Sequence, residues 1–581
     1  MPAGERPSLL DCFAPPAEDL RGTFALVCGY SAEAGVIDTA LDRFVGVGAE
    51  ARRHHGRLIA TLLLDGQHPP VVDVAGSFHA AMRPRSQRPT AWHRMHAKVA
   101  LLGFGPAVRG PATHLRLVVG TGNWTLLTLR RSIDFFWSIE LGKSTERQVR
   151  SANSADIAEA IAFFTELIRG YLLPDPVVAA VEEFLSDARS MARGRTSAPR
   201  FIHTLTGAGR GLASGAEKTW SPASIGRQVL ARFADFRAGS LLAVGSGFFE
   251  QAGDVGAEPV VIAELDAALR QRHIVRSQHC ERWLACNPGT AGAVAAWAQA
   301  ADALSWDLCR PKHPDPVGEA QLHAKYVGVF RRDMRGHIRR GRLYLGSGNL
   351  SRRGFLWAPR RGDAPAGMGL GNVEAGVVLE VGQLSCDDFV AALGIDPVDD
   401  LRADELKDHV DDEDDTAAVD ERPVPPVLAL VVVAGVPSRV RCCWAETPRI
   451  ACELRWAGYT VQISPDQEEV DLPQIPPQVN IAVGDLVWTI PVFAGPGELV
   501  RPPPVQREFD EILGRLLAFP SVDEDDDEVT AGDDYDGADG ADGAPTTAGA
   551  TTAVPARSAF ALHRTALLVE RIAQRNQQLA R

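Results

Sequence analysis

The chain carries the same short passage twice: MHAKVALLGFG (95–105) followed by LRLVVGTGNWT (115–125), and LHAKYVGVF (322–330) followed by GRLYLGSGNLS (341–351). In each copy His and Lys stand two apart at the head of an alternating apolar run. In a strand, residues i and i+2 point to the same face, so His96 projects with Lys98 and His323 with Lys325. A second apolar run then ends in Gly-(Thr/Ser)-Gly-Asn, which places Asn123 25 residues after Lys98 and Asn349 24 residues after Lys325. Small residues at 120–122 and 346–348 let a turn approach an anion closely, and Asn offers an amide donor there. One His-x-Lys alone reads as an ordinary surface pair. Two copies that share the central Ala, the strand context and the Asn spacing read as a duplicated site.

Outward from these motifs the chain alternates strand and helix. The apolar runs 24–30 and 58–64 read as buried strands with a helix at 34–45 between them, and 155–172 and 176–191 read as helices after the first motif pair. A strand at 240–247 and a helix at 260–271 open the second round, so a period of about 225 residues marks a duplicated domain rather than a solenoid. The runs 427–433, 438–444, 450–456, 460–463 and 486–492 are β-branched or alternating and broken by Pro and Gly, which predicts a small all-β accessory domain. Residues 521–557, rich in Asp, Gly, Ala and Thr, have little to pack and read as disordered; 560–580 reads as a helix. The expected divisions are 1–195, 196–395, an acidic linker at 396–425, a β domain at 426–505, a short helix and acidic segment at 506–557, and a C-terminal helix at 558–581.

The formal charge of -14 comes from two segments: twelve acids at 399–421 and eleven at 523–542. The remainder is basic, which suits a polyanionic substrate. Nine cysteines without Cys-x-x-Cys indicate neither a disulfide framework nor a zinc module. The N-terminus has no apolar run of signal-peptide length, and 427–436 is too short to span a membrane. A cytoplasmic protein with no membrane partner is the expectation.

A phosphodiester needs a nucleophile, a proton for the leaving group and neutralisation of its non-bridging oxygens. Two histidines divide the first two tasks: one attacks phosphorus, and the other protonates the leaving group and then activates the water that cleaves the phosphohistidine. Lys98, Lys325, Asn123 and Asn349 supply the charge and hydrogen bonds, so the reading calls for no metal and no cofactor.

At these residues the chain resembles the phospholipase D superfamily, and within it the tyrosyl-DNA phosphodiesterases. The Asp usual in the phospholipases five residues after the Lys is replaced by Gly103 and Phe330, and LYLGSGNLSRRGF looks like the second-half segment of the tyrosyl-DNA enzymes. The resemblance covers about 20–395 and implies an α/β fold of two α/β/α halves about a pseudo-two-fold axis. It also implies a carboxylate at Glu374, in NVEAGVVLEV, and it points to Asp134, in SIDFFWSIE, where the family often has Gln; each would orient a histidine. By the same resemblance His96 is the nucleophile and His323 the general acid and base, in a hydrolase that repairs blocked DNA 3′ ends.

Other signals bear on the substrate. RRDMRGHIRRGR (331–342) places Arg331, Arg332, Arg335, Arg339, Arg340 and Arg342 on a loop between two motif strands, either a track for a nucleic-acid backbone or a solvated hairpin tip. Arg83, Arg85 and Arg88 make a weaker patch. Trp92, Trp124 and Trp306 flank the motifs and read first as core, then as stacking platforms; His313 reads as a loop residue. The rival readings are an endonuclease or phospholipase with the same site, and an inactive nucleic-acid-binding protein whose β domain recruits a partner.

Overall fold

The structure is a computed structural model. It describes residues 8–503 apart from 107–109, 144, 194–196, 206–218, 251–255, 277, 290–291, 301–304, 313–320, 362–368, 402–404, 407–421, 437 and 446–448. His313, most of the acidic linker, the segment at 506–557 and the helix expected at 558–581 lie outside the described residues. The described residues up to Pro502 form one compact unit.

The first sheet contains β1 (Arg21–Gly29), β2 (Ala60–Leu64), β3 (Ser77–His79), β4 (Lys98–Gly105), β5 (His114–Gly120) and β6 (Phe136–Gly142), in the order β3-β2-β1-β4-β5-β6. β1 and β4 are continuous apolar runs, and both are buried on both faces, as covered central strands must be. Helix α1 (Ala34–Val45) returns from β1 to the parallel β2, burying Ile37, Ala40, Leu41 and Phe44 at helical spacing. It stops at Gly46, whose φ of 71° is the left-handed conformation glycine tolerates. Helix α2 (Arg147–Leu167) starts earlier and ends sooner than its apolar pattern suggests. A tight turn at Ile168–Gly170 lets the Trp92 ring lie against Gly170, and Tyr171–Leu172 then pairs with Ala81–Met82. Helix α3 (Asp175–Met191) begins with proline in its first turn, where no amide is needed.

The second sheet contains β7 (Phe201–His203), β8 (Leu241–Gly245), β9 (Glu281–Ala285), β10 (Asp307–Pro311), β11 (Lys325–Arg332), β12 (Ile338–Gly346), β13 (Ala375–Val381) and β14 (Ile395–Asp400). Its order is β7-β13-β12-β11-β8-β9-β10-β14. The six strands β10-β9-β8-β11-β12-β13 repeat the order of the first sheet and its directions. In both, two parallel pairings lead to the first strand, and three antiparallel pairings follow through the His-x-Lys strand and the strand that ends in Gly-x-Gly-Asn. β14 extends into the stretch that composition marks as linker. Its backbone pairs with β10, and Ile395 and Leu401 at its two ends are buried, which fixes this part of the acidic segment to the sheet.

A third sheet of eight strands runs from Val427 to Leu499, including Glu469–Asp471 and Gln478–Val483, which the sequence pattern had not singled out. It has its own core around Val440, Leu454, Ile481 and Ile490, while Ala429 and Phe493 join the core of the first sheet. No helix among the described residues is long and apolar enough to cross a membrane.

Candidate active site

Both His-x-Lys motifs sit where a strand is about to begin. Lys98 opens β4 and Lys325 opens β11, each deep in the protein at 0 and 1% exposure. The segment ahead of each histidine is tied down from the end of the neighbouring parallel strand. Asp65 accepts the Met95 amide at 2.7 Å, and Asn287 both accepts the Leu322 amide at 2.6 Å and donates to its carbonyl at 2.9 Å. The sequence reading missed these two clamps. The only signal was a polar residue just beyond each second strand.

Each histidine is then gripped by the other motif set. The His96 amide bonds to the carbonyl of Val373 at 3.0 Å, and its Nδ1 lies 3.0 and 3.1 Å from the carboxyl oxygens of Glu374. The His323 amide bonds to the carbonyl of Ile133 at 3.1 Å, and its Nδ1 lies 2.9 and 3.2 Å from those of Asp134. So the carboxyl group that follows the first Asn serves the second histidine, and the one that follows the second Asn serves the first. Glu374 is fully buried and also receives hydrogen bonds from Asn372 and Ser347; Thr121 donates to Asp134 at 2.7 Å.

The surroundings of the two histidines differ. His96 is 2% exposed and meets the edge of the Tyr30 ring, whose hydroxyl accepts from the buried Arg94; Lys98 lies 5.9 Å from the same ring. The His323 side chain is 32% exposed. Burial pushes the His323 imidazole below its ordinary pKa; Asp134 opposes this, while the charges of Lys325 and Lys98 add to it. Burial pushes the Asp134 carboxyl up, but the charge and hydrogen bond of His323, with Lys325 and the Thr121 hydroxyl, hold it below the usual aspartate value. The crossed contacts, His96 with Glu374 and His323 with Asp134, bring both motif sets to one place.

The turn glycines are needed for contact. A Cβ at Gly122 would stand 2.6 Å from the Asp134 carboxyl carbon, and one at Gly348 would stand 2.7 Å from the Gly354 carbonyl. Asn349 is buried, and Asn123 is half-buried with an Oδ1 that has no hydrogen-bond partner among the described residues. Gly103 and Phe330, the positions without the phospholipase Asp, are both packed inside: Gly103 against Phe184 and Phe330 against Phe389.

The six-arginine loop is not part of this cluster. β11 carries Lys325 at one end and Arg331 six residues on, about 20 Å away at the rise of a strand. There the guanidinium groups are engaged locally: Arg332 with Glu281, Arg339 with Asp333, and Arg340 and Arg342 with Asp235; Arg342 also bonds Glu380, and Arg331 bonds the Arg237 carbonyl. Arg335 is exposed at the tip. Arg83 and Arg85 lie beside the segment that leads to His96, bonded to the carbonyls of Tyr171 and His93, and Arg88 lies over the Trp92 ring. Trp92, Trp124 and Trp306 are all buried, the last two with their indole N–H groups on the Cys28 carbonyl and Glu258. Among the described residues no group of three or more His, Cys, Asp or Glu side chains is arranged to hold a metal ion.

Solved structures similar to this chain include the following two. One is yeast tyrosyl-DNA phosphodiesterase, with a TM-score of 0.38 and 10% identity, covering 64% of this chain and 84% of that one. Another is polyphosphate kinase from Porphyromonas gingivalis, with a TM-score of 0.30 and 11% identity, covering 64% of this chain and 44% of that one. No protein-family model matches the chain, and no curated protein does.

Proposed function

We propose that this chain is a phosphodiesterase that works without a metal through a covalent phosphohistidine, and that it acts on DNA 3′ ends carrying a tyrosyl or other blocking group. The observation that carries the reading is the pair of crossed histidine–carboxyl contacts, His96 with Glu374 and His323 with Asp134, beside two buried lysines. With each Nδ1–H donated to a carboxyl group, each Nε2 is available for chemistry. Two buried ammonium groups and two Asn amides complement the anionic oxygens of a phosphodiester.

The Nε2 of His96 bonds to phosphorus as the bond to the leaving oxygen breaks, and protonated His323 gives its Nε2 proton to that oxygen. Neutral His323 then takes a proton from water, whose oxygen attacks phosphorus and breaks the P–N bond, releasing His96 and a phosphate monoester. The exposures support this division of labour. The half-buried His323 is the one that must meet both leaving group and water, whereas the enclosed His96 is shielded from solvent as a nucleophile should be. In the same reading the two sheets are halves related by a pseudo-two-fold axis that passes through the site, and the third sheet is an accessory domain that offers a surface to a protein partner.

The test is cleavage, in EDTA, of a 3′-tyrosyl oligonucleotide against an unmodified oligonucleotide and a phosphatidyl lipid, with His96→Ala and His323→Ala as controls. Release of tyrosine that requires both histidines is the expected result. Internal cutting or lipid hydrolysis would keep the chemistry and replace the substrate, and DNA binding without turnover of any of the three would overturn the enzyme reading.

A further inference from the structure

The hydroxyl in each Gly-(Thr/Ser)-Gly-Asn turn has the same neighbours in both motif sets. Thr121 is 1% exposed. Its Oγ1 donates to Asp134 at 2.7 Å and accepts the amide of Phe135 at 2.9 Å, and its own amide bonds to the Phe135 carbonyl at 2.9 Å. Ser347 is fully buried. Its Oγ donates to Glu374 and accepts the amide of Ala375 at 3.0 Å, and its amide bonds to the Ala375 carbonyl at 2.9 Å. A hydroxyl has one proton to give. In both turns the carboxyl group offers the shorter contact for it, the backbone carbonyl of the next residue lying at 3.2–3.3 Å.

We infer that Thr121 and Ser347 are positioning residues that work crosswise: Thr121, through Asp134, sets His323, and Ser347, through Glu374, sets His96. The inference rests on the phosphodiesterase reading for its kinetic consequences but not for its geometry. A carboxyl group has free rotation about its last bond and two equivalent oxygens. Ser347 holds Glu374 Oε2 while Oε1 lies nearest the His96 ring, and Thr121 donates to the same Asp134 Oδ1 that lies nearest the His323 ring. In both, the buried hydroxyl stops the carboxyl group from rotating, which fixes ring orientation and tautomer. Each hydroxyl stands two residues before an Asn, Thr121 before Asn123 and Ser347 before Asn349. The turn that presents the Asn of one motif set therefore also holds the histidine of the other, and a displacement of either turn is felt on both sides of the site.

The experiment is a histidine-selective nitrogen NMR titration of the full chain, alone, for Thr121→Val and Ser347→Ala, with Thr121→Ser and Ser347→Thr as variants that retain the hydroxyl. Thr121→Val is expected to change the Nδ1 and Nε2 shifts and the titration of His323 while leaving His96 as it was, and Ser347→Ala to do the reverse. The hydroxyl-retaining variants should restore both patterns. Burst and single-turnover assays on the substrate identified by the cleavage test should then show Ser347→Ala slowing formation of the histidine adduct and Thr121→Val slowing its breakdown. Each loss should be about 10- to 100-fold, as is usual for groups that orient a reacting ligand. Changes confined to the histidine of the same motif set, changes in both histidines alike, or none in either would overturn the inference. Because the NMR readout needs no turnover, a failure of the catalytic reading shows in the cleavage assay and not here.

Discussion

Asp134→Asn is the substitution whose effect the site defines most sharply. The carboxyl group is what holds the His323 imidazole up against burial and against the charges of Lys325 and Lys98. An Asn keeps an oxygen that can accept from Nδ1 in the same position, so geometry is retained and charge is lost. A unit charge about 4 Å from an imidazolium is worth about 4 kcal/mol at an effective dielectric constant near 20. About a third of the His323 side chain is open to solvent, so screening and the remaining hydrogen bond reduce this to about 1.5–3 kcal/mol, or roughly one to two pH units. The titration midpoint of His323 should therefore fall by that amount in Asp134→Asn, read by histidine NMR with His323→Gln for assignment. If protonated His323 serves the leaving group, the alkaline limb of the kcat/KM profile should move to lower pH by the same interval. A midpoint that stays put or rises would refute the electrostatic account of the site.

Three further outcomes follow from the geometry. Folding stability should be greatest above about pH 6.5 and fall below it. The depressed His323 favours folding in its neutral form, which is lost as it is forced to protonate, and the depressed Asp134 adds a second loss at lower pH; denaturant melts across pH check this, and stability that holds down to pH 4 would contradict it. Gly122→Ala should cut activity at least tenfold by pushing a methyl group onto Asp134 and Thr128, whereas Gly48→Ala, with open space around it, should leave activity unchanged in the same assay. Arg335→Ala with Arg339→Ala should alter the salt slope of DNA binding by less than one phosphate contact, because both residues sit at the end of the hairpin far from Lys325; a larger change would mark the loop as a binding track.

Much of this was legible along the chain because it depends on local periodicity. The period of two aligns His with Lys, and the length of a strand, a return and a second strand sets the spacing from Lys to Asn, so the motif residues and the sheets that carry them can be read without coordinates. The α/β alternation was legible for the same reason, down to the helix at Val260–Gln271. Local pattern also left features unread. The acidic run hid the strand at Ile395–Asp400, whose pairing with β10 is a matter of backbone bonds rather than composition. For the arginine loop, read either as a nucleic-acid track or as a solvated hairpin tip, sequence shows six like charges and not the acids from other elements that meet some of them, Asp235, Glu281 and Glu380.

What the tertiary structure alone decided is the crossing. The carboxyl partner of His96 lies 278 residues away and that of His323 lies 189 away, and no spacing rule says which belongs to which. The choice is made where one motif set packs against the other and the segment ahead of each histidine bonds to the residues just before the opposite carboxyl group, Ile133 and Val373. Sequence could list the two His, two Lys and two Asn because strand periodicity and spacing place each of them, while Asp134 and Glu374 came only with the resemblance and the Asp65 and Asn287 clamps did not show. Only packing could pair them, because a hydrogen bond between distant segments depends on how two sheets meet and not on the order of residues within either.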